Sequence, residues 1–243
     1  MIHEFMSRPI PDLSRLRSEK SAYRNYPICP ISEKCLKVNS GMLCRSYYWD
    51  YKPRPAGAIE EIFLRKSFIA KLKAIDEELN SLGLRLLIQE GYRPLLVQRF
   101  VQEVSVLKGL RKENPNLGEA ELFEKLKMFA ASADMDLQLS PPPHLTGGVA
   151  DVNLVYLETG KVVDMGKRGG LYNTAFPDAL ENYNFKTMEQ PKRFRRLLFW
   201  LAFEQGITTN PTEWWHISWG DQMWAWITKS SCAMYGAADD LLS

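Results

Sequence analysis

Histidine is scarce in this chain: only His3, His144 and His216 occur among 243 residues. Any chemistry that needs imidazole therefore has little choice of residues. Long apolar runs are missing too. No stretch approaches the ~18 consecutive apolar residues of a membrane-crossing helix. The opening MIHEFMSRPIPDLSRLRSEK is polar and proline-broken and lacks the apolar core of a secretory signal. These absences lead us to expect a cytoplasmic protein. Charge of one sign is not in excess either. A formal charge of +2 at pH 7 gives no electrostatic reason to expect nucleic acid or a membrane surface as partner.

Cysteine is sparse, at Cys29, Cys35, Cys44 and Cys232. The intervals between the first three fit no familiar zinc-ligand spacing. Free thiols are the expectation, and a Cys29–Cys35 or Cys35–Cys44 bridge would oppose the cytoplasmic assignment. Repeats, low-complexity tracts and linkers are absent. A single domain over residues 1–243 is expected, with the proline-rich residues 1–56 as an irregular arm packed on it.

Hydrophobic content of 45% and charged content of 25% are ordinary for a globular chain that can bury a substantial core. CLKVNS and MLCRSYYW read as short strands within the arm. From Gly57 to Leu82 the residues Ile62, Phe63, Ile69, Leu72, Ile75, Leu79 and Leu82 recur at helical spacing, and Gly83 supplies a stop. LRLLIQE is a strand running into the turn GYRP. LLVQRFVQEVSVLKGL and GEAELFEKLKMFAA are amphipathic helices. VADVNLVYL is a strand, ETG a turn, and KVVDM its returning partner. PKRFRRLLFWLAFEQG is a helix with proline at its start, followed by the strand around TEWWHISWGD and a last helix. Strands and helices mix without βαβ alternation, which predicts an α+β fold, an antiparallel sheet with flanking helices.

His3 sits in a terminus expected to fray and reads as incidental. His144 lies in SPPPHLTGGVAD, seven residues before Asp151, and His216 lies in TEWWHISWGD. Two histidines and an aspartate form a set of three zinc ligands that leaves a fourth position for water. A His and an Asp at this spacing are by themselves more often a turn or surface pair. Glu213 strengthens the metal reading, because a zinc hydrolase needs a carboxylate that is not a ligand and can handle the proton of water. Positions three apart face opposite sides of a flat strand, so Glu213 must sit in a bend, which Asn210-Pro211 can supply. A surface Glu beside a core His fits poorly with flanking tryptophans that would bury the charge. Arg93, at the strand-to-turn junction EGYRP, is suited to stabilise an oxyanion.

EGYRP, His144-x6-Asp151 and Glu213-Trp-Trp-His216, in that order, resemble the zinc D-alanyl-D-alanine dipeptidases of the vancomycin-resistance type. Related zinc D,D-carboxypeptidases and the hedgehog signalling domain share that fold. The resemblance runs from about Leu64 to Asp221. It implies a zinc site on the sheet, with one Zn²⁺ per chain held by His144, Asp151 and His216. It also implies Glu213 as general base and acid, Arg93 as transition-state stabiliser, and a small peptide as substrate. YLETGKVVDMG looks like the family's hairpin, ending at Met165-Gly166. Trp214 and Trp215 are candidate pocket walls.

The chain departs from the family at Pro142, where a Ser is usual, and at Val149, where an Ala is usual. It also departs at Gly170, where the family has an aspartate for the substrate ammonium; Lys167 and Arg168 stand close by. Asp164 is the candidate replacement for that acid. The leading expectation is zinc-dependent hydrolysis of D-Ala-D-Ala or a similar small D-amino-acid dipeptide. The alternatives are a murein D,D-carboxypeptidase or endopeptidase on longer cell-wall peptides, and a hedgehog-like zinc-binding interaction module.

Overall fold

The computed structural model describes all residues except 1, 40, 130, 135, 167–174, 183–185 and 239–243. Its helices are α1 (Ile2–Phe5), α2 (Ser14–Ser18), α3 (Tyr47–Asp50), α4 (Lys66–Asn80), α5 (Leu95–Phe100), α6 (Leu107–Glu113), α7 (Glu119–Phe129), α8 (Lys186–Glu204) and α9 (Gln222–Thr228). Its strands are β1 (Cys35–Lys37), β2 (Leu43–Cys44), β3 (Phe63–Arg65), β4 (Leu84–Glu90), β5 (Val149–Tyr156), β6 (Thr208–Thr209) and β7 (His216–Ser218). The fold is α+β, with a five-stranded sheet in the order β2-β4-β5-β7-β6 and a small β1-β3 pair. Three of the large sheet's pairings are antiparallel, and edge strand β2 runs parallel to β4.

Strand alternation separates the sheet's two faces. Leu84, Leu86 and Ile88 of β4, Ala150, Val152 and Leu154 of β5, and Ile217 of β7 belong to the main hydrophobic core. They pack with Phe68, Leu72, Ile75 and Leu79 of α4 and Leu197, Leu198 and Leu201 of α8. The intervening residues, Asp151, Asn153, His216 and Ser218, face the other way. One face is therefore closed by two long helices, and the opposite face is left to carry polar side chains.

Several elements differ from the sequence expectation. The helical run expected from Gly57 begins only at Lys66, because Phe63–Arg65 pairs with β1 in the register Cys35↔Arg65. KVVDM forms no strand of its own and contributes one isolated bridge, Val155↔Val162. Helix α8 starts at Lys186, so Pro191 lies inside it rather than at its start. The helix after EGYRP passes through a π-helical segment, Val101–Val106, between α5 and α6.

The arm is stitched to the body at several points. Tyr26 Oη donates to the Ser230 carbonyl at 2.7 Å, and Gln222 Nε2 donates to the Tyr26 carbonyl at 2.6 Å. A disulfide joins Cys29 to Cys232, with Cα atoms 5.8 Å apart. This corrects the expectation of four free thiols. Only Cys35 and Cys44 lie outside a disulfide, and a pairing across 203 residues leaves no trace in local spacing. Among the described residues, no helix is long and apolar enough to cross a membrane.

Candidate metal centre

Three neighbouring strands converge on the polar face. Asp151 is the Cα partner of His216 across β5-β7, and Glu90 is the partner of Asp151 across β4-β5. A register shift between Ile88 and Glu90 makes the second pairing possible. Without that bulge, alternation would send Glu90 to the core face with Ile88. With it, Gln89 and Glu90 both line the cleft.

His144 arrives from a different direction, on the 3-10 turn Pro143–Thr146 just ahead of β5. Gly147 ends that turn at φ +70°, a left-handed conformation that glycine adopts without a Cβ clash. The His144 Nδ1–H donates to the Gly91 carbonyl at 2.8 Å, which orients Nε2 toward Asp151. Gly91 has no room for a side chain. A Cβ there would meet the Phe63 carbonyl oxygen at 2.6 Å and Ile62 Cγ2 at 2.8 Å. So the glycine of EGYRP lets the strand end pass close to β3 and offers its carbonyl to the histidine.

The resulting cluster is tight. His144 Nε2 is 3.5 Å from Asp151 Oδ1, and His216 Nδ1 is 3.4 Å from the same oxygen. One donor atom from each residue lies within 4.8 Å of the others. Ligands about 2.1 Å from a tetrahedral ion stand roughly 3.4 Å apart, so these spacings suit one ion. Asp151 Oδ1 is buried and has no hydrogen-bond partner, the condition of an oxygen waiting for a cation. Burial opposes the charge on Asp151, yet the imidazoles of His144 and His216 hold its carboxyl well below the usual range. The residues therefore fit a divalent metal.

Around the cluster, Glu213 sits in the expected bend, with its backbone N–H bonded to the Asn210 carbonyl at 3.1 Å. Its Oε2 accepts from Asn210 Nδ2 at 2.8 Å and lies 3.6 Å from His216 Nδ1. Asn210 also accepts from the Thr212 N–H and hydroxyl through Oδ1, so one side chain organises the whole Asn210–Glu213 turn. Arg93 is buried and pairs through Nε and Nη2 with both oxygens of Glu90, at 2.8 and 2.5 Å. Its Nη1 donates to Gln98 Oε1 at 2.7 Å, and Nη2 stands 4.0 Å from Asp151 Oδ2. Burial works against its charge, and Glu90 more than restores it, so the guanidinium stays protonated at any accessible pH.

The structure thus brings His144, Asp151, His216, Glu213 and Arg93 into one cleft of about 470 Å³. Trp215 lines it, whereas Trp214 is 2% exposed and packs in the core. Asp164 is exposed and uses Oδ1 to accept the Gly166 N–H at 2.8 Å; it does not line the cleft. Lys167, Arg168 and Gly170 lie outside the described residues. The other walls come from elements to which the sequence lent no role: Glu90 and Gln98 fixing Arg93, Tyr47 and Tyr48 of α3, the Val101–Val106 segment with α6, and Lys20, Tyr23 and Arg24 of the arm. The Glu90–Arg93 spacing across a glycine was the one visible hint among these.

A two-histidine, one-aspartate cluster beside a non-ligand carboxylate, set on the polar face of an α+β sheet, defines a metallopeptidase-like centre. The comparisons agree. Residues 56–233 match the family described as D-ala-D-ala dipeptidase, and the chain belongs to that family. It is 30% identical over 216 residues to a D-alanyl-D-alanine dipeptidase of Synechocystis sp., covering 82% of this chain and 84% of that protein. It is 26% identical to one from Streptomyces coelicolor and 28% identical to one from Enterococcus faecalis. Each of these covers 69% of this chain and 80% of the relative. All three of the cluster's metal-ligand candidates, with Glu213 and Arg93, fall inside the matched span.

Proposed function

We propose that this chain hydrolyses D-Ala-D-Ala or a closely similar small dipeptide in a zinc-dependent reaction. The observation that carries the reading is the His144–Asp151–His216 cluster with Glu213 Oε2 3.6 Å from His216 Nδ1, in a chain of the D-ala-D-ala dipeptidase family. His144, Asp151 and His216 hold the zinc. A zinc ion held there would supply Lewis acidity for the scissile carbonyl and for the attacking water near neutral pH.

The chain's own groups do the rest. Glu213, oriented by Asn210, takes the proton of the attacking water and returns it to the departing amine. Arg93, clamped by Glu90 and Gln98, keeps a fixed positive charge beside the carbonyl oxygen as that oxygen turns anionic. Because Glu90 and Gln98 hold the guanidinium in place before substrate arrives, little reorganisation is needed in the transition state. Trp215 forms part of the wall that limits water around the reacting bond. The Cys29–Cys232 disulfide favours an oxidising compartment over the cytoplasm expected from the sequence.

The test is D-alanine release from D-Ala-D-Ala by purified chain carrying one zinc per molecule. Chelation should abolish release, and added zinc should restore it. Release that survives complete removal of the metal refutes the reading.

A further inference from the structure

The arm reaches the metal cleft with two cations. Lys20 and Arg24, on the 3-10 turn Lys20–Asn25, line the same cleft as Glu213 and His216. Both residues precede the span that matches the family, which begins at residue 56. Lys20 Nζ donates to Thr212 Oγ1 at 2.7 Å, placing its ammonium next to the residue that precedes Glu213. Arg24 donates through Nη2 to the Lys127 carbonyl at 2.7 Å, while its Nε is buried without a hydrogen-bond partner. Burial drives the Lys20 ammonium below its usual pKa; Glu213 opposes that shift and the positive charge of Arg24 adds to it.

Lys20 and Arg24 place two cations on one wall of the cleft, with Glu213 as the carboxylate nearest Lys20, and a carboxylate entering there can accept charge-assisted hydrogen bonds from both. The arm is anchored beside the cleft. Gln222 Nε2 bonds the carbonyls of Arg24 and Tyr26 at 3.3 and 2.6 Å, and the Cys29–Cys232 disulfide follows within a few residues. Arg93, clamped by both oxygens of Glu90, is assigned to the reacting carbonyl oxygen, which leaves Lys20 and Arg24 for the carboxylate.

We infer that Lys20 and Arg24 receive the C-terminal carboxylate of the substrate's leaving residue, and so restrict the enzyme to peptides with a free C-terminus. This rests on the hydrolytic reading above. If Glu213 returns its proton to the departing amine, that nitrogen lies against Glu213. The leaving residue's carboxylate is only two covalent bonds from it. A cation bonded to Thr212 is therefore beside the place where the carboxylate must lie. Endopeptidase action inside a longer chain would leave the two cations facing a neutral amide.

The experiment compares D-Ala-D-Ala with its C-terminal amide on the zinc-loaded chain, in wild type, Lys20→Met, Lys20→Arg and Arg24→Gln. A charge-assisted pair of this kind contributes about 10- to 100-fold. Wild type should prefer the free acid by about 100-fold in kcat/KM. Lys20→Met should carry that ratio most of the way to one, chiefly through KM, and Lys20→Arg should retain most of it. Arg24→Gln should lower the ratio about tenfold. Equal losses on acid and amide, or a wild type that does not distinguish them, overturn the inference.

Calorimetry with a non-cleavable reduced-bond dipeptide, as acid and as amide, separates this from the proposed function. Lys20-dependent preference for the acid analogue without any hydrolysis refutes the hydrolytic reading and keeps the anion site. Hydrolysis of acid and amide alike keeps the hydrolytic reading and refutes the anion site.

Discussion

Replacing Glu213 by glutamine isolates proton transfer from everything else in the cleft. The side chains have the same shape, so the turn held by Asn210 can persist. Its 2.8 Å bond from Asn210 Nδ2 to Glu213 Oε2 survives if the new amide presents its oxygen to Asn210. That same oxygen is the atom 3.6 Å from His216 Nδ1, so the amide nitrogen takes the place of Oε1. An amide cannot accept the proton of water near neutral pH. Positioned acid–base groups contribute about 10²- to 10⁴-fold, and Glu213 acts twice, on water and on the amine. Glu213→Gln should therefore lower kcat for D-Ala-D-Ala by about 10³-fold, roughly 4 kcal/mol of barrier. Glu213 is not one of the three clustered donors, so zinc content should remain one per chain. The zinc-induced rise in melting temperature should persist too. Retained turnover would remove Glu213 from the mechanism, and loss of zinc together with turnover would make it a ligand instead of a base.

Three further perturbations probe the scaffold. Gly91→Ala forces a Cβ to within 2.6 Å of the Phe63 carbonyl oxygen and displaces the carbonyl that orients His144. Zinc titration should show about 10- to 100-fold weaker affinity, and unchanged affinity would mean the Gly91 contact is dispensable. Asp221 is buried, which raises its carboxyl to about 7, while its Oδ1 caps the Trp224 N–H at 2.9 Å. Because the folded value lies above the ordinary 3.8, its contribution to stability is full below that pH and is lost as pH rises toward 7. Asp221→Asn keeps a cap and does not titrate, so its stability relative to wild type should climb by at least about 1 kcal/mol between pH 4 and 8. A difference that is flat with pH in urea unfolding would contradict this. Cys29→Ser removes a cross-link spanning 203 residues and should cost about 2–5 kcal/mol in the same assay, with Cys232→Ser matching it; a change below about 0.5 kcal/mol, the usual effect of a surface substitution, would show the bridge to be unimportant.

The chemistry-bearing residues were visible in the one-dimensional chain because the chemistry leaves few candidates. With three histidines, one of them at the terminus, a metal site built on imidazole had few residues to choose from. Glu213 stood out as an acid among tryptophans, and Asn210-Pro211 announced the bend that aims it. Helix α4 and strand β4 were legible where apolar spacing ran uninterrupted. The misses share a cause. Ile62 and Phe63 fit a helical period, but Phe63 is paired with Lys37 of β1 and the Ile62 carbonyl accepts the Val38 N–H just beyond it. KVVDM has strand composition, yet it meets β5 only at Lys161–Val163, through one isolated bridge and two backbone hydrogen bonds, too short a contact for a strand.

By itself, the sequence determined which side chains could hold a metal, which could move a proton, and that strands and helices would mix, since these follow from residue chemistry and local periodicity. Only the tertiary structure decided that a bulge turns Glu90 onto the polar face, that Gly91 supplies the carbonyl behind His144, and that Cys29 meets Cys232. It likewise decided that Lys20 and Arg24 line a cleft whose other residues lie up to 203 positions away. Those outcomes depend on strand register, close backbone approach and long-range packing, which neighbouring residues do not encode.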